Sequence, residues 1–340
     1  MRIFIDIGHP AHVHYFRNFI KIMEGRGHEF LVTARDRQHV FRLLDAYGIK
    51  YMSRGAGGGS MFSKLLYLLK SSFRNYLLAR KFRPALFIDF GTMYSCAASS
   101  LLRKRHVVFE DTEITGLYRS VYEPLVDEIY TPECFELDLG RKHKRFKGYM
   151  ELAYLHSNFF TPDVSVLSDA GLKKGDIFSI VRFVDWKAVH DIGNEGLTAE
   201  EKISLVKRLE KYGKVLISSE LPLPAALQKY ELRIEPEKLH SLMHFASLVI
   251  GESATMASEA AILGTPAVYI DNEGRGYTRD IEKKYGTLFN FKPDEVSSIV
   301  VKAEEILSSE AWKDKALEMR EKIISGSVDL TAFMVEVALR

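Results

Sequence analysis

The stretch Gly251–Pro266, GESATMASEAAILGTP, constrains this chain more than any other. A short apolar run, Ser247–Ile250, leads into it and reads as a buried strand, and a helical pattern takes over from Met256 to Leu263. Strand, tight turn and helix outline an anion site. The helix's first unpaired N–H groups and the positive end of its dipole converge there, and the turn residues Ser253, Ala254 and Thr255 are small enough for a ligand to approach the backbone. Glu259 sits a helical turn further in, where an acid beside an anion is repelled unless it accepts hydrogen bonds from nearby hydroxyls, such as those of a ribose. The alternative is an ordinary capped helix with Thr255 as N-cap. A capping box from Thr255 would, however, want its acid at Ser258.

A chain of 340 residues exceeds one core and suggests two domains. With 46% apolar and 27% charged residues there is no room for extensive disorder. The net charge of +2 hides an asymmetry: residues 1–150 carry 24 Lys/Arg against 15 Asp/Glu, residues 151–340 carry 23 against 30. Two different modules are implied. Cys96 and Cys134 are the only cysteines, which excludes a disulfide framework or zinc-finger spacing and fits a reducing compartment. MRIFIDIGHP has no apolar h-region and no window approaches a membrane-spanning length, so a cytoplasmic protein is expected.

Arg2–Ile7 alternates and reads as a first strand, followed by the loop Gly8–His14, a helix from about Tyr15 to Gly25 and a second strand, Glu29–Thr33. This is a βαβ opening of a parallel, doubly wound sheet. GxGxxG is absent, so a dinucleotide fingerprint is not supported. His9, His12 and His14 crowd together, yet without carboxylates or cysteines nearby in sequence they make a poor metal site. Ala85–Asp89 and His106–Glu110 are further strands, the latter running into Glu110-Asp111-Thr112-Glu113, acids placed where open α/β sheets bind ligands.

Arg54 introduces GAGGGS, read as a flexible loop because no Lys-Ser/Thr pair follows it. Met61–Pro84 is basic and amphipathic, with no acid in it. Such a helix suits an anionic membrane surface, while burial against the sheet is the plainer use of the same apolar stripe. Arg141–Lys147 is a second basic cluster, a solvated loop or part of a positive face. Neither carries a nucleic-acid motif, and no nucleic-acid partner is expected.

The second half repeats the alternation. Ile177–Arg182, Lys214–Ser218, Glu231–Ile234, Ser247–Ile250 and Ala267–Ile270 read as strands, Phe183–Leu197 as a long loop holding Asp185, Trp186, His190 and Asp191, and Thr198-Ala199-Glu200-Glu201 as a capping box opening a helix. From Pro293 onward the chain is helical.

In this order the chain resembles the GT-B superfamily of two-domain glycosyltransferases and UDP-sugar epimerases over nearly its whole length, and in particular an uncharacterised prokaryotic family of that type. Ala11-His12 falls at the Gly-Gly-His loop of the lipid II GlcNAc transferase. Phe90-Gly91-Thr92, His106–Glu110, Gly116 and Arg119 follow that family's FGG and HEQN succession. Glu235-Pro236, Glu252–Thr255, Glu259, Leu263–Pro266 and Asp271–Arg275 resemble the EP-x-x-Y, DSGG-x-x-x-E, LG-x-P and DTTERPE runs of the non-hydrolysing UDP-GlcNAc 2-epimerases. Where those epimerases use acids in two further runs, this chain has Gly91-Thr92 and Thr115-Gly116; their histidine on the first strand of the second domain is Val181, and of their acids Glu110 is retained.

The resemblance implies an α/β protein of two Rossmann-like, doubly wound domains facing a cleft. Residues 1–155 would form the acceptor side, 156–325 the nucleotide-sugar side, and 326–340 a helix returning to the first domain. Ser253, Ala254 and Thr255 would hold the diphosphate, Glu259 the ribose, Glu235 and Leu239 the base, Arg182 would meet phosphate charge, and Arg275 would belong to the nucleotide-sugar site; a surface salt bridge is the plainer role for Arg182. From its place on the loop after the first strand and its titration range near neutrality, His12 is expected to be the base, or else to hydrogen-bond and order that loop, and Glu110 would orient the acceptor or hold the His12 tautomer. The implied activity is sugar transfer from a UDP-sugar to a saccharide or lipid-linked acceptor, in cell-envelope polysaccharide synthesis, by a cytoplasmic enzyme touching the inner face of the membrane at most peripherally. The alternatives are a 2-epimerase-like enzyme or hydrolase of the same nucleotide sugar and a non-catalytic nucleotide-sugar binder. The helix dipole, hydroxyls and a cation can stabilise the departing diphosphate, so no metal or other cofactor is expected.

Overall fold

The structure, a computed structural model, describes residues 1–58, 61–185 and 196–340. Trp186, His190 and Asp191 lie outside the described residues. The chain divides into two compact units, Met1–Phe159 with Ser327–Arg340, and Phe160–Gly326. Each is an α/β unit built on one parallel sheet.

The first unit holds β1 (Arg2–Ile7), β2 (Glu29–Ala34), β3 (Met52–Ser53), β4 (Leu86–Phe90), β5 (Arg105–Phe109), β6 (Glu128–Pro132) and β7 (His143–Phe146). Their order across the sheet is β3-β2-β1-β4-β5-β6-β7. Ile3, Phe4, Ile5 and Ile7 are all buried, as a central parallel strand covered on both faces requires. From β1 the chain winds outward to β3, then returns to the other side of β1 as β4. The sheet therefore reverses its winding between β1 and β4, and the loops leaving those two strands flank the reversal.

The first helix runs Pro10–Gly25, five residues earlier than the periodicity suggests. Proline fits the first helical position, and the His9 ring caps it by accepting the Ala11 N–H. His12 thus belongs to the helix's first turn rather than to a loop. Arg141–Lys147 is likewise not a solvated loop: His143–Phe146 is the edge strand β7, with Phe146 buried, Lys144 on Glu128, and Arg145 on the carbonyls of Glu133, Phe135 and Leu137. The C-terminal helix Leu330–Leu339 sets Phe333 against Tyr130 and Phe146 of this unit.

The helix Met61–Phe82 does not bury its large apolar stripe in the sheet. It turns Ser71, Asn75 and Ala79 inward and leaves Phe62, Leu65, Leu66, Leu69, Phe73 and Leu77 exposed.

The second unit holds β8 (Phe178–Phe183), β9 (Lys214–Ser219), β10 (Leu248–Gly251), β11 (Ala267–Ile270) and β12 (Leu288–Phe291), in the order β12-β11-β10-β8-β9. Its reversal lies between β8 and β10. The capping box at Thr198 is present, its hydroxyl and Glu201 each satisfying the other's backbone. Glu231–Ile234, expected as a strand, makes a single bridge, Ile217 to Glu231, at the edge strand β9. Glu231 and Arg233 pair with each other in solvent, and Pro236 follows at once, so pairing does not continue.

Candidate functional site

In the second unit β10 ends at Gly251, opposite Arg182 of β8. A Cβ on Gly251 would stand 2.1 Å from the Arg182 carbonyl oxygen, so the close approach of these strands demands glycine. Glu252 then turns inward. Its two oxygens accept the N–H groups of Val184 at 3.0 Å and Leu197 at 2.9 Å, pinning both ends of the segment between β8 and the next helix. Ser253 is extended, and its hydroxyl accepts the Met256 N–H at 3.4 Å. The helix is therefore Ala254–Leu263 with Ser253 as N-cap, and Thr255 lies inside its first turn instead of capping it.

Ser253, Ala254 and Thr255 are partly exposed, while everything from Met256 to Leu263 is buried. Arg182 leaves the end of β8 and donates to Ser218 at 2.8 Å and to Glu220, the salt-bridge role foreseen for it. Arg275 follows β11 and is held 3.3 Å from Asp271, itself fixed by the N–H groups of Glu273 and Gly274. Neighbouring parallel strands stand about 4.8 Å apart. Arg182, the 253–255 turn and Arg275 thus gather along one carboxyl edge, at the winding reversal. Open α/β sheets bind ligands in that place.

Glu259 lies behind this edge, buried, with His240 Nε2 2.9 Å from its Oε1. His240 escaped the sequence reading because its partner is on another helix. It belongs to Leu239–Phe245, which Leu239 opens half-buried. Glu235 is exposed, 3.3 Å from Lys238.

In the first unit the reversal is underlain by buried polar side chains. Asp6 on β1 accepts from Thr33 at 2.7 Å and from Thr92 at 2.8 Å, and forms an ion pair with Arg54, whose Nε lies 2.8 Å from it. Asp89 on β4 accepts the Asp6 N–H, and His106 Nε2 lies 3.0 Å from it. Arg54 stands just past β3, yet its side chain is fully buried, with the Tyr94 ring 3.9 Å away and the Tyr67 hydroxyl at 2.7 Å.

His12 sits over this network, its ring 5.0 Å from that of Phe90. The Gly8 N–H donates to its Nδ1 at 3.3 Å, which leaves the proton of the neutral ring on Nε2. Burial, then the charges of His9, Arg54 and Arg37, push its pKa well below the usual histidine value. This corrects the expectation of a base titrating near neutrality: the ring presents a neutral Nε2–H donor. His14 turns into the core, stacked on Tyr154 at 5.2 Å. Among the described residues no group of three or more His, Cys, Asp and Glu is placed to hold a metal ion.

Glu110 follows β5 and is buried beneath Gly91, where a Cβ would stand 2.8 Å from its Oε2. It accepts the N–H groups of Asp111 and Thr112 and the Tyr122 hydroxyl at 2.9 Å. Asp111 beside it is buried too. Burial first, then Glu151 and Glu110, raise its pKa well above the ordinary carboxyl value. The acidic run pointed to this place, but not to which acid is buried with a raised pKa.

A family model described as "Protein of unknown function (DUF354)" matches residues 1–331. An uncharacterized protein of Methanocaldococcus jannaschii is 24% identical over 282 residues, 78% of this chain and 80% of its own. Among solved structures, a UDP-GlcNAc 2-epimerase from M. jannaschii matches with TM-score 0.64 and 13% identity, covering 91% of this chain and 94% of that one. The spinosyn rhamnosyltransferase SpnG, complexed with spinosyn aglycone, matches with TM-score 0.64 and 13% identity over 99% and 100%. MnaA of S. aureus, in a UDP co-structure, matches with TM-score 0.67 and 14% identity over 96% and 91%. At these identities the likeness carries the fold, which is GT-B, and these neighbours include enzymes of both kinds, a transferase and an epimerase.

Proposed function

We propose, for a chain that belongs to the DUF354 family of unknown function, that it is a glycosyltransferase whose second unit binds a UDP-sugar and whose first unit holds the acceptor. The observation that carries this reading is the convergence of Arg182, the Ser253–Thr255 turn and Arg275 on one carboxyl edge, in front of a helix long enough to present a dipole. Ser253, Ala254 and Thr255 receive the diphosphate, Arg182 and Arg275 meet its charge, Glu259 accepts from the ribose, and Glu235 and Leu239 flank the base. In the reaction the acceptor hydroxyl attacks the anomeric carbon, the carbon–oxygen bond to the diphosphate breaks, and UDP leaves with the bonding pair. The hydroxyl's proton passes to a diphosphate oxygen. His12 serves as a hydrogen-bond donor to the acceptor and Glu110 orders the loop beside it.

The neighbours named for UDP and for sugar transfer support the class, while the sugar, the acceptor and a role in cell-envelope polysaccharide are this proposal's own. A second reading is 2-epimerase chemistry, which needs an acid as well as a carboxylate. The feature in its favour is that Asp111 is buried beside Glu110, where burial and the neighbouring acids raise its pKa well above the ordinary carboxyl value.

UDP and UDP-sugars should raise the melting temperature, a ligand confined to the native state adding about 2.7 kcal/mol at a hundredfold excess over Kd. No shift with any nucleotide sugar would sink the donor site. Incubation with UDP-GlcNAc alone separates the two chemistries: release of ManNAc and UDP at enzymatic rates overturns transfer in favour of epimerisation.

A further inference from the structure

The helix Met61–Phe82 leaves most of its large apolar side chains outside. Its fully buried positions are Ser71, Asn75 and Ala79, with half-buried Tyr76 and Leu78 packed beside them against the cluster of Phe4, Phe87 and Ala98, and Asn75 donates to the Tyr94 carbonyl at 3.2 Å. Its outward face carries Phe62 (76% exposed), Leu65, Leu66, Leu69 (61%), Phe73 (62%) and Leu77, spaced by threes and fours into a continuous stripe. Lys70, Arg74 and Lys81 recur on one flank of that stripe at spacings of four and seven, and all three are exposed. No Asp or Glu occurs anywhere from Ala46 to Ile88.

Single exposed apolar residues need no explanation, but a contiguous run of six on one helix does. We propose that this face lies on an anionic lipid bilayer, the apolar stripe in the acyl boundary and the cationic row among the headgroups. Among the described residues no helix is long and apolar enough to cross a membrane, so the contact is one of lying on the surface. A second copy of the chain fits worse. A two-fold contact through this stripe would bring cationic flanks together with no acid on the helix to answer them. Where the transferase reading holds, the acceptor reached this way is lipid-linked; the docking itself does not rest on that reading.

The test is co-sedimentation of the full chain with phosphatidylcholine vesicles, with and without phosphatidylserine. Binding should need phosphatidylserine and weaken in high salt. Lys70→Glu with Arg74→Glu should lower partitioning by about tenfold or more, and Leu69→Glu with Phe73→Glu should abolish it. Both variants should keep the wild-type melting temperature, because the changed side chains are exposed, and any UDP-induced shift, so failure of docking is distinct from failure of the donor site. Wild type that does not sediment, or charge-reversed protein that sediments equally, overturns the proposal. So does a concentration-dependent dimer in sedimentation velocity that Leu69→Glu with Phe73→Glu dissolves, which would give the face to a second copy.

Discussion

His240 Nε2 and Glu259 Oε1 lie 2.9 Å apart, both side chains buried, one on each of two packed helices behind the 253–255 turn. The contact fixes one carboxylate oxygen by protein alone. The proposed ribose contact falls on the same carboxylate, so substitutions are needed to separate the residue's structural work from its proposed role.

Glu259→Gln keeps an acceptor for His240 but turns the second oxygen into a donor. The expected result is stability within about 1 kcal/mol of wild type, with most of the UDP-induced thermal shift lost. His240→Ala instead leaves a buried carboxylate short of a partner and should cost about 1–3 kcal/mol in urea denaturation. A Glu259→Gln protein with the full UDP shift would remove Glu259 from the site.

Gly251→Ala tests the close approach of β10 to β8. With the Arg182 carbonyl oxygen 2.1 Å from the new methyl, the strands must part, at a cost of about 1–3 kcal/mol. The loss should appear in chemical denaturation and should take the UDP response with it, since the 253–255 turn hangs from that strand end. Unchanged stability would mean that the two strands are less closely paired than described.

Much of this arrangement was legible in the residues because short apolar runs such as Arg2–Ile7, Ala267–Ile270 and the strand before Gly251 can hardly be anything but central parallel strands. Small turn residues between strand and helix then mark the carboxyl edge. What stayed hidden depends on partners distant in sequence. Arg54 looks like the start of a glycine loop until Asp6 and Tyr94 enclose it, and the edge strand His143–Phe146 is masked by Lys144 and Arg145, which face outward. The Met61–Phe82 stripe misleads for the opposite reason: periodicity reports that an apolar face exists, not whether the protein itself covers it.

Asp111→Asn should stabilise the protein at neutral pH. The native pKa is raised, so the folded state holds its proton more tightly than the unfolded one, and stability falls as pH rises from the ordinary carboxyl range toward the native value. Asparagine copies the protonated form and removes that loss. The gain in melting temperature should therefore be larger at pH 8 than at pH 4. Activity decides the chemistry as well: transfer should survive the change, whereas an epimerase that uses Asp111 as its acid would not.

His12 distinguishes a donor from a base. With the Gly8 N–H on Nδ1, Nε2 already carries the proton and cannot accept another while that bond lasts. The depressed pKa makes the group's contribution to stability complete above about pH 6.5 and progressively lost as pH falls through that value toward the native one, because the unfolded ring takes the proton first. Wild type should consequently lose more stability between pH 7 and pH 5 than His12→Gln does. Glutamine can accept from Gly8 through its oxygen and donate through its nitrogen, so His12→Gln should retain most of the transfer activity. His12→Ala offers no donor and should lower transfer well below the His12→Gln rate, because the acceptor loses the hydrogen bond that positions it. Equal inactivity of both variants, with a rate that follows a single ionisation near the usual histidine range, would return His12 to the role of general base.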